Sequence, residues 1–342
     1  MTRAARHPAL VLGAAALVLV IVLHVGVLVG PAGLTVRGVF LELIDALPFV
    51  DVDSGLTTRQ QAILWNIRMP RVALGALVGA MLAIAGATYQ GVFRNPLADP
   101  YLLGVSSGAG LGATLAIALG GVLASVGVPV AAFAGGLVAV AATYALGRSV
   151  GGMRSEVVII LAGVAVAAFA NAAQTFVQQL YDDTLRQVYT WLLGRLSTDG
   201  WSDVVVVLPY VVVSAAVILL HRRMLDVMAV GDVEAASLGV NPARVRLILV
   251  CVATLGTAAV VGASGLIGFV GIVVPHAIRL IVGPGHRLLL PLSLMMGAAF
   301  LVLADVLART VMSPAELPIG VVTAAVGAPF FLVVLRRHRG VS

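Results

Sequence analysis

The chain has 342 residues, 61% of them hydrophobic and 11% charged, with a net charge of +6 and a mean hydropathy of +1.09. A soluble domain is roughly 45–50% apolar and about 25% charged, so this composition excludes one and requires lipid as solvent. All 21 basic residues are arginine and the one cysteine is Cys251. No intrachain disulfide or multi-cysteine metal site can form, and no lysine exists for a phosphate-binding loop or a Schiff base.

A bilayer core of about 30 Å needs roughly 20 helical residues per crossing. Taken in chain order, apolar segments of that kind lie at residues 9–30, 72–91, 102–122, 126–146, 157–180, 203–220, 246–264, 290–308 and 318–335, with a shorter one at 268–282 that holds Pro275, His276 and Arg279. The sequence therefore predicts an all-α, polytopic membrane protein of about ten transmembrane helices, one domain over residues 1–342. The first segment follows Arg3 and Arg6 but exceeds the length of a signal-peptide core, so it is expected to stay as an uncleaved span. Residues 35–47 mix apolar and charged positions, the pattern of an interfacial helix or of an ordinary extracytoplasmic loop with helical character. Small-residue runs at 75–87 and 104–113 predict closely approaching helix backbones.

Arginines near span ends are retained in the cytoplasm. Ten spans with both termini cytoplasmic place 14 of the 21 arginines inside and 10 of the 15 acidic residues outside, which agrees with that rule. Asp305 and Arg309 stand four apart, a spacing that pairs them on one helix face.

Residues 221–246, HRRMLDVMAVGDVEAASLGVNPARVR, form the largest cytoplasmic loop in this topology. Gly239 and Pro242 punctuate it, predicting two short helices joined by a turn, a natural docking element for a soluble partner. The histidines are scattered without metal-ligand spacing, and no chain of buried carboxylates appears. An ion-coupled secondary transporter, the alternative reading, is thus poorly supplied with parts, and a membrane enzyme lacks a clustered constellation.

Residues 68–110, with RMPR and RNPLADP, resemble the signature stretch of the permeases that import iron chelates, haem and vitamin B12 in ABC transporters. Residues 265–287 (FVGIVVPHAIR) and 305–330 (ELPIG) are similar to the same family in order and spacing. The resemblance covers most of the chain from about residue 60 onward. It implies a permease of the bacterial cytoplasmic (inner) membrane that pairs with a second permease copy, receives its substrate from an extracytoplasmic binding protein and is driven by two cytoplasmic ATPase subunits. No nucleic-acid partner and no directly bound cofactor are implied, since ATP and magnesium belong to the ATPase. By the same resemblance, Arg68, Arg71 and Arg309 are outward-facing arginines that dock the binding protein. Asn95, Leu97 and Ala162 correspond to the cytoplasmic gate, with alanine a departure from the hydroxyl found in other members. The 221–246 loop corresponds to coupling helices, with Asp232, Glu234, Leu238, Gly239 and Asn241 at the ATPase contact. The expected cargo is a ferric siderophore, haem or cobalamin.

Overall fold

The computed structural model describes residues 7–30, 33–46, 50–120, 127–151, 156–198 and 200–339. Arg3, Arg6 and Arg154 of the charge argument lie outside them. The regular structure of the described residues is all helical, with no strand among them. Each apolar segment read from the sequence is a helix, and seven of the helices are long and apolar enough to cross a membrane: α1 (Pro8–Leu28), the continuous run Thr58–Val92, α6 (Val128–Gly151), α7 (Glu156–Leu180), α9 (Ser202–Leu220), α12 (Pro242–Ser264) and α14 (His286–Thr310). Two more apolar helices are shorter, α5 (Val105–Leu119) and α13 (Val270–Val282); α15 (Ile319–Arg339) opens on an apolar stretch and ends on arginines, and the short α8 (Leu185–Leu192) lies between α7 and α9.

Two boundaries differ from expectation for local reasons. The segment read as 102–122 starts its α-helix at Val105, because Pro100–Leu103 makes a 3-10 turn that Gly104 closes at φ +81°, and its residues 121–122 lie outside the described residues. The segment read from 290 begins at His286 and carries Pro291 within its first two turns. Residues 35–47 contain α2 (Val36–Asp45), started by Thr35, whose side chain accepts a hydrogen bond from the Gly38 amide. Its Val39 packs with Val27 and Leu64, and its Glu42 accepts hydrogen bonds from Ser54, Gln61 and Trp65.

The second long run starts with α3 (Thr58–Ile63), fixed by a reciprocal capping box between Thr57 and Gln60. It passes through a π-helical turn, Leu64–Arg68, into α4 (Met69–Val92). In π register the residue that should donate to the Trp65 carbonyl is Pro70, which has no N–H. The Trp201 indole donates to that carbonyl instead, at 2.9 Å.

Helix α4 is the axis of the molecule. From Val78 to Val92 every residue is buried, and α14, α12, α13 and α9 pack around it. Helix α13 meets α4 backbone to backbone, because a Cβ on Gly86 would overlap the carbonyl of Gly271. Two of the polar contacts inside this bundle tie α4 to its neighbours: the hydroxyls of Tyr89 and Thr254 are 2.6 Å apart, and the Gln90 amide donates to the Gly271 carbonyl at 3.2 Å.

Candidate functional site

Polar chemistry gathers at the two ends of α4. At its N-terminal end, three arginines and two carboxylates meet the C-terminus of α1. A helix ends with carbonyls that lack partners and carry partial negative charge. Arg68 Nη1 donates to three of them in succession, Val27 at 2.8 Å, Leu28 at 3.1 Å and Val29 at 2.8 Å. Arg309 Nη2 donates to the carbonyl of Gly26. The predicted pair on α14 is present, Arg309 Nε lying 3.2 Å from Asp305. Arg71 completes the cluster: its Nε donates to Asp305 at 2.9 Å, and its two terminal nitrogens donate to the two oxygens of Glu316, each at 2.9 Å.

The structure thus brings together the three arginines expected at a docking surface, but turns them inward. Arg68 and Arg309 are 5% and 6% exposed. Burying a guanidinium is tolerated only where acceptors surround it, and the end of α1 together with Asp305 supplies them. Both guanidinium groups are thus engaged within the chain itself. Arg71, with its side chain 13% exposed beside the half-exposed Glu316, is the arginine nearest solvent.

At the opposite end of α4 the chain turns sharply through residues 93–99. Arg94 adopts φ +46°, and the Asn95 side chain accepts from the Leu97 amide at 2.9 Å, so Asn95 holds the shape of its own loop. Leu97 projects outward at 40% exposure. Ala162, expected beside them, sits on α7 at 7% exposure.

The 221–246 loop forms the predicted pair of short helices, α10 (Arg222–Met228) and α11 (Asp232–Ser237). Helix α10 is rooted in the core by Leu225 and Met228, 0% and 1% exposed. Helix α11 and the turns on either side of it lie outside, showing Val230, Val233 and Leu238 at 67%, 80% and 66%, with Glu234 and Asn241 also exposed. The turn LGVNP is explained bond by bond. Gly239, at φ +81°, lets its own amide reach the Ala236 carbonyl and the Val240 amide reach the Ala235 carbonyl, the paired closure of a helix C-terminus. The Asn241 side chain then caps α12 through the Arg244 amide, with Pro242 in its first turn. Asp232 binds Arg94 at 3.1 Å and Arg246 at 3.2 Å, joining α11 to the 93–99 loop and to α12.

Asp226, which sequence reasoning passed over, accepts from the backbone amide of His286 at 2.8 Å and lies 2.7 Å from its Nδ1. Burial pushes the Asp226 carboxyl up, but the hydrogen bonds from the His286 ring and backbone outweigh it and hold the group below its ordinary value. A second unread feature is a polar row on α7. Asn171, Thr175 and Gln179 are exposed and Gln178 is half-buried, on a helix that also shows Phe169 and Phe176 at 76% and 64%. The signal was legible as amides clustered in one apolar segment, but attention to ionisable side chains alone misses it. No group of histidine, cysteine and carboxylate able to hold a metal exists among the described residues.

These features define a polytopic helical membrane protein with one arginine–carboxylate end and one loop-bearing end. Residues 16–337 match the FecCD transport family, and the chain belongs to it. It is 47% identical over 282 residues to the cobalamin import system permease protein of Halobacterium salinarum, covering 82% of this chain and 75% of that one. It is 42% identical to the hemin transport system permease protein of Yersinia pestis, covering 81% and 84%. Its fold is similar to a metal-chelate type ABC transporter in an inward-facing conformation, with a TM-score of 0.83 and 30% identity, covering 96% of this chain and 99% of that one.

Proposed function

We propose that this chain is the membrane-spanning subunit of an ABC importer for a bulky metal chelate, of the siderophore, haem or corrinoid class, acting as a pair of copies in the bacterial cytoplasmic membrane. All ten apolar helices cross the bilayer in this reading, as one domain with both termini cytoplasmic. The observation that carries it is the polar row of α7. Uncovered amides facing hydrocarbon are costly, so Asn171, Gln178 and Gln179 favour a face turned toward a second copy and a hydrated path between the two. Amides and small side chains suit the passage of a chelate that must not be held tightly.

The exposed apolar residues of α11 support a contact with a separate cytoplasmic ATPase. They lie at the end of the molecule where Arg94, Arg148, Arg222, Arg223 and Arg244 also gather, the end retained inside by the arginine rule. ATP and magnesium belong to that partner. The arginine–carboxylate end then faces outward and receives the binding protein, with Arg71 the arginine best placed to meet an incoming carboxylate. Asn95, Leu97 and Ala162 are assigned to the inner gate, in which Leu97 narrows the exit. The relatives named for cobalamin and hemin support the metal-chelate class.

The deciding experiment is uptake into proteoliposomes that contain the chain with its cognate ATPase and binding protein, offered a ferric siderophore, haem and cobalamin in turn. ATP-dependent uptake of one of them is expected, with no ATP hydrolysis by the isolated chain. Uptake driven by a proton or sodium gradient without ATP would establish the secondary-transporter alternative instead.

A further inference from the structure

The assignment of α10 and α11 as the motor contact leaves open how their displacement reaches the gate, and the side chain best placed to carry it is one with no role so far. His286 is the first residue of α14. The residue before it is Gly285, which has no side chain to cap the helix. Asp226, reaching over from α10, takes that place by accepting from the His286 amide. A carboxylate there satisfies an orphan donor and favours the positive end of a 25-residue helix. The same oxygen is 2.7 Å from His286 Nδ1. An ionised carboxylate only accepts, so Nδ1 carries the hydrogen and donates it, and the ring orientation is fixed.

The other side of the ring faces a different helix. His286 is 5% exposed and its Nε2 is buried with no hydrogen-bond partner. A Cβ placed on Gly91 would lie 2.5 Å from that Nε2 and 3.2 Å from a methyl of Leu225. Gly91 is in the last turn of α4, two residues before the 93–99 loop. The imidazole therefore fills a slot between α10 and the end of α4, held by a charged hydrogen bond on one side and by van der Waals contact on the other. A side chain in that slot cannot follow α10 without pressing on α4, because close-packed interiors transmit displacement rather than absorb it.

We propose that His286 is a positioning residue that transmits movement of the 222–237 segment to the end of α4 and so to the loop bearing Leu97. Asp226 is its input and Gly91 its output. The Asp232–Arg94 ion pair is a second tie between the same two regions, but it is half-exposed at 37% and 40% and screened, whereas the His286 contact is buried. The proposal rests on the reading of α10 and α11 as the ATPase contact.

Two substitutions separate input from output. His286→Asn retains an N–H that can reach Asp226 and removes the part of the ring that touches Gly91. Asp226→Ala removes the input and leaves the ring in its slot. Each variant is reconstituted with the ATPase and binding protein, and both ATP hydrolysis and substrate uptake are measured. The expected result is continued hydrolysis with the ATP consumed per substrate imported raised about tenfold, the scale of a coupling contact. Copurification of the ATPase stays at the level of the unaltered chain. A merely structural role would lower hydrolysis and uptake together and leave their ratio unchanged, and that outcome overturns the proposal. Should His286→Asn fail to insert, Gly91→Ala is read the same way, since its Cβ, 2.5 Å from Nε2, forces the ring and the end of α4 out of their present contact. If the unaltered complex shows no ATP-driven uptake, the importer reading fails. If it transports and the variants keep its ratio, only the transmission role fails.

Discussion

Arg71 and Glu316 face each other through two parallel hydrogen bonds, each 2.9 Å, across 245 positions of sequence. The pair joins the start of α4 to the connection between α14 and α15, and Asp305 holds the same guanidinium from behind at 2.9 Å. Because the Glu316 side chain is 52% exposed, it can leave Arg71 without unfolding the cluster, while the Asp305 side chain at 3% exposure cannot.

Replacing Glu316 by glutamine should therefore cost little stability, on the order of 0–1 kcal/mol for a pair this open to water. It should at the same time leave Arg71 more available to a carboxylate on the binding protein. The expected outcome is faster association of that protein with the reconstituted transporter, diminishing as salt rises, and the opposite for Arg71→Glu. Association rates unchanged in both variants at low salt would remove Arg71 from the docking surface.

Arg68 and Arg309 should behave differently from Arg71. Each caps the end of α1 from a buried position, so an alanine strands three carbonyls at Arg68, and at Arg309 strands the Gly26 carbonyl and weakens the hold on Asp305. A loss of roughly 3 kcal/mol is expected, visible as a lower melting temperature of the detergent-solubilised chain. A variant that melts normally yet no longer binds its partner would instead make these side chains direct contacts.

Gly239 is held at φ +81° with open space around it, so a substitution there is limited by backbone conformation and not by bulk. Gly239→Ala should cost about 1 kcal/mol and loosen α11, whereas Gly239→Asn, which tolerates the left-handed region, should cost less. The readout is the ATPase retained on copurification, expected to fall in the order glycine, asparagine, alanine. Charge reversal at Glu234 tests the exposed face without touching this turn and should lower ATPase retention as well.

The row on α7 makes a prediction about assembly. In a chain whose lone cysteine, Cys251, is first replaced by serine, a cysteine at Asn171 should form a disulfide-linked pair of chains under mild oxidation in the membrane. One placed at Val205, exposed on α9, should not. Leucine at Asn171 and Gln178 should lower uptake while leaving the melting temperature unchanged. If leucine raises the melting temperature and transport persists, the face is turned to lipid.

Much of this protein is legible before folding. Membrane residence follows from composition, because hydrocarbon selects apolar runs by length alone. The α11–α12 turn follows from Gly239, Asn241 and Pro242, since each acts on backbone within a few residues of itself. The Asp305–Arg309 pair follows from helical spacing. The tertiary structure decided what those local signals could not reach. Whether an arginine at a span end meets solvent or a partner depends on which carbonyls the fold delivers to it, and Arg68 finds its acceptors about 40 positions back and Arg309 finds one 283 positions back. His286 lies ahead of the apolar run read from residue 290, and only the return of α10, 60 positions earlier, supplies the carboxylate that caps the helix there and orients the ring. Sequence periodicity fixes the face of a helix on which a side chain lies, because that depends on the local 3.6-residue turn. Tertiary packing alone fixes what that face meets, because it depends on where distant helices come to rest.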